Sequence, residues 1–148
     1  MAGDGPFAFR TRVAFHQADP AGVLFFGRYA ELWQSAYEAF IAHLGIEYDD
    51  WFSQRARSTP IRRVEVDHFR PIWAGEDVAV RVAVRRVGQS SFTLTMTAAG
   101  EGPGDGAGDG RAAATITFVY TEAAAGGRFA PTRLPADVRA AFTAHAGG

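Results

Sequence analysis

Asp19 falls in the run HQADPAGVLFFGRY, followed by Pro-Ala-Gly and then by Val23, Leu24, Phe25 and Phe26. A carboxylate beside so much apolar and aromatic surface is costly unless it is solvated or has chemistry to perform. Two roles fit it. Asp before Pro commonly forms a turn in which the side chain caps its own backbone. At the mouth of an apolar pocket the same group is a nucleophile or general base, with a helix start nearby to stabilise a developing oxyanion. Competing chemistries are excluded by residue type. The chain has no cysteine and no lysine, which removes a thiolate nucleophile, a thiolate zinc site, Schiff-base chemistry and a P-loop. It has no GxSxG, HExxH or GxxxxGK[ST] motif. Its histidines, His16, His43, His68 and His145, have no close metal-ligand spacing, so neither a metal nor a redox cofactor is expected.

The elements that must position Asp19 are read from hydrophobic period. Phe7, Phe9, Val13 and Phe15 alternate with polar residues and predict a first strand over 7–15. After the Asp-Pro loop the period lengthens. Tyr29, Leu32, Trp33, Ala36, Tyr37, Phe40, Ile41 and Leu44 recur at three- and four-residue steps, which predicts a helix stopped by Gly45. A connector follows, with a short helical turn carrying Trp51 and Phe52. Two-residue alternation then predicts four consecutive strands: 61–69, one around Val78–Arg85, one over Phe92–Thr97, and one over Ala114–Thr121. Six glycines in GEGPGDGAGDG, 100–110, mark a hairpin excursion between the last two. Its two GDG units resemble calcium-binding repeats, which need tandem copies to stack. The tail 131–148 predicts a peripheral amphipathic helix behind Pro135, carrying Leu134, Val138 and Phe142.

The order is strand, long helix, four strands, an α+β class with one apolar helix on a five-stranded antiparallel sheet. With 148 residues, 47% of them hydrophobic, a single domain spanning 1–148 is expected, with a core over 7–130. One helix leaves sheet face and edges uncovered, so a homo-oligomer is expected. Lys+Arg 15 against Asp+Glu 16 argues against a nucleic-acid partner. The start MAGDGPFAF has no basic n-region, and no long apolar run occurs anywhere. A cytoplasmic protein without membrane association is the expectation.

The run HQADPAGVLFFGRYAELWQSAYEAF, with TPIRRVEVDHFRPIWAGEDV downstream and a closing APTRLP, resembles the 4-hydroxybenzoyl-CoA thioesterase branch of the hotdog-fold superfamily. The Asp-x-Ala-Gly-apolar-aromatic motif running into a helix carries most of this resemblance. SAYEAFIAHLGI together with TPI and DHFRPI is equally similar to 1,4-dihydroxy-2-naphthoyl-CoA hydrolases. The resemblance implies a long helix wrapped by the sheet, a homodimer or homotetramer, and an acyl-CoA substrate whose thioester is hydrolysed without a cofactor. It also implies that Asp19 attacks the thioester or activates water, that the Phe26 backbone N–H polarises the carbonyl, and that Gly22 permits close approach of the loop.

Further residues follow from the same match, each beside a plainer reading. Phe25 would wall an aromatic acyl pocket or belong to the core. Gln34 stands where the hydroxybenzoyl enzymes carry a carboxylate that reads the ring hydroxyl, a departure that puts that specificity in question. Glu38, one helical turn on, would touch a polar acyl group or pair with an arginine. His16 would orient Asp19 or simply be a boundary residue. Thr59 and Pro60 match a position beside the second subunit's active site, where Thr59 would hydrogen-bond substrate. The phosphates of coenzyme A need cations; Gln89 and Ser90 occupy the matched places, leaving Arg85, Arg86 or Arg70, which otherwise solvate exposed surface. Two alternatives keep the fold and change the function: an acyl-CoA hydratase or dehydratase using an Asp–His pair, and a non-catalytic acyl-binding dimer.

Overall fold

The computed structural model describes residues 6–53, 57–102, 105 and 110–146. In chain order come β1 (Ala8–Arg12), a 3-10 turn at Phe15–Gln17, a second at Phe26–Arg28, α1 (Tyr29–His43) and a π turn at Asp49–Ser53. Then follow β2 (Arg57–Ser58), β3 (Ile61–His68), β4 (Asp77–Val87), β5 (Ser91–Gly100), β6 (Gly110–Val119), β7 (Thr121–Ala123), β8 (Phe129–Pro131) and α2 (Ala136–Ala144). The main sheet is antiparallel, five-stranded and ordered β1-β4-β5-β6-β3. A small second sheet, β2-β7-β8, was not expected, because strands of two and three residues are too short to show a period.

The chain forms two compact units. The first comprises Met1–Phe40, Val66–Val82 and Met96–Ala114. In it β1 and β4 pair from Ala8↔Arg81 to Arg12↔Asp77, and the helical residues Tyr29, Leu32, Trp33, Ala36, Tyr37 and Phe40 are buried. The Phe7 ring lies 5.6 Å from Phe40. The expected first strand stops three residues early: Phe15 is in the 3-10 turn and exposed, since the chain has already turned toward the Asp19 loop.

The second unit comprises Ile41–Glu65, Ala83–Thr95 and Thr115–Gly148. Gly45 ends α1 as expected, at φ 79°, with its N–H on Ala42 O at 3.0 Å and the Ile46 N–H on Ile41 O at 3.3 Å. These two bonds are the paired closure of a Schellman motif, which requires a residue tolerant of positive φ. Trp51, carried by the π turn, stacks on Tyr120 at 5.8 Å, and Phe92 stacks on Phe118 at 5.0 Å.

Two expectations need correction or limit here. The tail helix is not peripheral: Phe142 is fully buried, stacked on Phe92 at 4.5 Å and edge-on to Trp51. Arg139 fixes it further by donating to the carbonyls of Gly88 and Gln89, while the Leu134 N–H takes Gln89 O. The short periodic segment concealed this, because three apolar residues cannot tell a surface stripe from a core anchor. Of the glycine-rich stretch, residues 103–104 and 106–109 lie outside the described residues. Phe142→Ala is expected to destabilise the fold by about 3–5 kcal/mol, the usual range for truncating a buried aromatic. Chemical denaturation measures it; a peripheral helix would give a change near zero.

Candidate active site

Asp19 opens a turn. Its carbonyl accepts the Gly22 N–H at 2.9 Å and its N–H donates to Val23 O at 2.8 Å. The carboxylate Oδ1 accepts the Ala21 N–H at 2.8 Å and the Val23 N–H at 3.3 Å. The turn role is therefore real, and it uses one oxygen only. Oδ2 has no hydrogen-bond partner among the described residues. Gly22 sits at φ 86°, a conformation costly for residues with a Cβ. Its carbonyl accepts the Ala74 N–H, and Leu24 N–H bonds Ile72 O at 2.7 Å, so segment 72–74 holds the loop from one side.

The helix start is built in two steps. Phe25 N–H donates to Gln17 O at 3.0 Å and Arg28 N–H to Phe25 O at 2.9 Å. Between them the Phe26 N–H, first in its turn, meets no acceptor among the described residues. An N–H of this kind carries the positive end of the helix dipole and is available to an anionic or carbonyl oxygen. Phe25 and Phe26 pack on each other at 4.7 Å, and both are largely exposed rather than in the core.

Asp19 and Phe26 line one open cleft of about 370 Å³ in the first unit, together with Val23, Leu24, Tyr29, His68, Phe69, Arg70 and Pro71. That volume lies in the range of small-molecule sites. The Tyr29 ring is buried, and its edge contact with His68 has a centroid separation of 4.4 Å. Burial pushes the Tyr29 phenol above its ordinary value, and the positive charge of Arg111 offsets part of that rise.

Arg111 was not singled out from the sequence, yet it shapes the wall. Its guanidinium donates to Glu76 at 2.8 and 3.2 Å, to Asp105 at 3.4 Å and to Pro71 O at 2.8 Å. Its own carbonyl accepts the N–H groups of Phe69 and Arg70 at 2.8 and 3.1 Å. The hydrogen bond to Glu76 is the main reason its pKa is raised. A buried arginine in a strand rich in alanine and threonine gives a signal in the sequence, although its partners come from distant segments.

The remaining predicted residues divide. Arg70 is brought to the cleft with Asp19. Gln34 and Glu38 are not; Gln34 Nε2 donates to Glu38 Oε2 at 3.2 Å, so the partner of Glu38 is Gln34 rather than an arginine. His16 is exposed on the 3-10 turn and does not line the cleft; the residue that organises this turn is Gln17, whose Oε1 accepts the Ala14 N–H. Thr59, Pro60, Arg85 and Arg86 belong to the second unit, where Pro60 O accepts the Val119 N–H and both arginines are exposed on β4. A smaller cavity of about 120 Å³, lined by Arg12, Arg28 and Leu32 among others, contains none of the predicted site residues.

A long helix beside a five-stranded antiparallel sheet of this order, entered through a loop that carries a carboxylate, defines a hotdog-fold protein. The chain belongs to the Thioesterase-like superfamily, whose profile matches residues 13–142. It is 33% identical over 87 residues to a 1,4-dihydroxy-2-naphthoyl-CoA hydrolase of Synechococcus elongatus, a match covering 58% of this chain and 64% of that relative. Among solved structures, the Dynemicin thioesterase, described with a bound polyene, aligns with a TM-score of 0.84 at 19% identity, over 97% of this chain and 99% of that one. A mutant 4-hydroxybenzoyl CoA thioesterase complexed with 4-hydroxybenzoyl CoA aligns with a TM-score of 0.80 at 18% identity, over 92% and 97%. At these identities the structural likeness concerns the fold.

Replacing Arg111 by Leu would leave Glu76 and Asp105, both only partly buried, without their shared cation. Solvent at the two carboxylates keeps the expected cost below that of a fully buried pair, at about 1–3 kcal/mol. Equilibrium unfolding is expected to show that loss, and Arg111→Leu with Glu76→Gln together is expected to recover part of it.

Proposed function

We propose that this protein is an acyl-CoA thioesterase that hydrolyses the thioester of an aromatic or similarly bulky acyl group, releasing the free acid and coenzyme A. The observation that carries the reading is the shared cleft of Asp19, with Oδ2 uncommitted, and the Phe26 N–H, with no protein acceptor. A thioester carbonyl placed there has an oxyanion donor on one side and a carboxylate on the other. Asp19 Oδ2 either attacks the carbonyl carbon or takes a proton from a water that attacks it. In the first case the C–S bond breaks, coenzyme A leaves as thiolate, and water cleaves the acyl-aspartyl anhydride. In the second, water adds its oxygen to the carbonyl carbon as Asp19 takes its proton, the C–S bond breaks, and coenzyme A leaves as thiolate and is reprotonated. Neither route needs a metal or redox cofactor. An oriented N–H at the oxyanion is typically worth about 10²–10³ in rate.

The naphthoyl-CoA hydrolases to which the chain is similar, and the aromatic rings of Phe26 and Phe69 on the cleft, support an aromatic acyl group. Arg70, on the same cleft, is the arginine assigned to the phosphates of coenzyme A; Arg85 and Arg86 belong to the second unit. One observation favours the hydratase reading, since His68 shares the cleft with Asp19. Assay with an enoyl-CoA separates the two, because a hydratase consumes the double bond and leaves the thioester intact.

Asp19→Asn is expected to lower kcat at least about a hundredfold while preserving acyl-CoA binding, because the amide keeps the turn contacts and loses the base. Thiol release from 4-hydroxybenzoyl-CoA and 1,4-dihydroxy-2-naphthoyl-CoA measures it, and near-full turnover would refute the role. The working form is proposed to be a homodimer or homotetramer joined through β3, an edge strand of eight residues whose Ile61 and Val64 are half exposed. Val64→Glu is expected to shift sedimentation to a smaller species.

A further inference from the structure

Besides Asp19 and Arg70, the cleft has two polar side chains, and neither has been given work. Tyr29 is only 6% exposed, yet its hydroxyl has no hydrogen-bond partner among the described residues. Unlike Trp33 Nε1 and Arg139 Nε, which are fully buried without a partner, the Tyr29 hydroxyl is not sealed from solvent, and a hydroxyl in a cavity wall is available to whatever fills the cavity. Burial also keeps the phenol neutral at working pH, so it remains a donor as well as an acceptor. The His68 ring stands at right angles to the Tyr29 ring, 4.4 Å between centroids, and its nitrogens are likewise without hydrogen bonds among the described residues. Its place is fixed from behind, because the next two N–H groups, of Phe69 and Arg70, are both held on Arg111 O.

We infer that Tyr29 Oη and the His68 ring are specificity determinants that read hydroxyl substituents on the acyl ring. Phe26 and Phe69 supply aromatic surface for a flat acyl group, and the phenol and imidazole supply a donor and an acceptor at its edge. The polar residue expected for this task, Gln34, is bonded to Glu38 and does not line the cleft. The charged groups that share the cleft, Asp19 and Arg70, are assigned to the thioester and to the phosphates. The inference rests on the thioesterase reading and assigns to these two groups the discrimination between hydroxylated aromatic acyl-CoA esters and unsubstituted ones.

The test compares kcat/KM for matched esters, 4-hydroxybenzoyl-CoA against benzoyl-CoA and 1,4-dihydroxy-2-naphthoyl-CoA against 2-naphthoyl-CoA. The unaltered protein is expected to prefer the hydroxylated member of at least one pair. Tyr29→Phe removes only the hydroxyl oxygen and keeps the ring against His68; it is expected to lose about tenfold on the preferred hydroxylated ester, the scale of one hydrogen bond, and less than twofold on its unsubstituted counterpart. His68→Phe, which keeps an aromatic contact, is expected to show the same selective loss. Equal losses on both members of a pair, or none, would overturn the inference while leaving the thioesterase reading intact. If no ester is hydrolysed, the thioesterase reading fails. Binding of the same esters to Asp19→Asn protein, with and without Tyr29→Phe, then decides this inference separately: a hydroxyl preference that Tyr29→Phe abolishes supports it, and its absence overturns it.

Discussion

Burial of one guanidinium organises the first unit. Arg111 is 7% exposed, and a charge so placed must be matched on every side. Glu76 and Asp105 supply negative charge and Pro71 a carbonyl. The demand reaches into the glycine-rich stretch as well. A Cβ at Gly100 would lie 2.7 Å from the guanidinium and 2.5 Å from the Asp105 carboxylate, so a side chain there would require one of these two groups to shift. Once Glu76 is fixed, its second task follows: Oε2 accepts the Trp73 N–H and closes the turn before β4. That turn presents Ile72 and Ala74 to the loop of Leu24 and Gly22. From the guanidinium to the Asp19 turn the links are two side-chain hydrogen bonds through Glu76 and then backbone bonds from segment 72–74, and the same arginine's carbonyl sets the opposite wall at Phe69 and Arg70.

The Asp19 turn then resolves the tension between its two roles. A carboxylate that caps a turn is usually satisfied and therefore inert. Here the cap uses Oδ1 and leaves Oδ2 without a partner among the described residues. Under the role proposed for Asp19, structure and chemistry fall on different atoms. Gly22 contributes through its backbone more than through close approach: at φ 86° a Cβ would meet the Trp73 ring at an ordinary 3.9 Å, so conformation rather than space demands glycine.

The fold was largely legible in the sequence because its signals are local. α1, the cap at Gly45 and the four later strands follow from periods of 3.6 and 2.0, and each lies within a few residues of its expected place. The turn at Asp19 was legible for the same reason, Asp before Pro being a matter of immediate neighbours. What escaped was set by partners distant in sequence. Arg111 acquires its role from Glu76 and Pro71, 35 and 40 residues away. Tyr29 reads as one more apolar helix residue until His68, on another element, is found against its ring. Phe142 reads as one apolar residue of a short amphipathic tail helix, and its partners Phe92 and Trp51 are not legible. The bond between Gln34 and Glu38 was local, and their one-turn spacing already permitted it.

The all-arginine composition acquires a physical meaning from these pairings. Near-neutral net charge is the sum of many local neutralisations: Arg10 with Glu101, Arg12 with Asp77, Arg28 with Glu31, Arg63 with Glu65, and Arg111 with Glu76. The exposed pairs add little stability, being screened and solvated. Their effect on the cleft is of another kind. A carboxylate engaged by a guanidinium loses basicity and nucleophilicity, and arginine's rigid fork is especially effective in such pairing. Arg111, the buried arginine nearest the cleft wall, is held on Glu76 and Asp105, and Asp19 takes part in no ion pair among the described residues. The acidic residues that make this burial tolerable are the guanidinium's side-chain partners, so the wall is built without an ion pair at the Asp19 carboxylate.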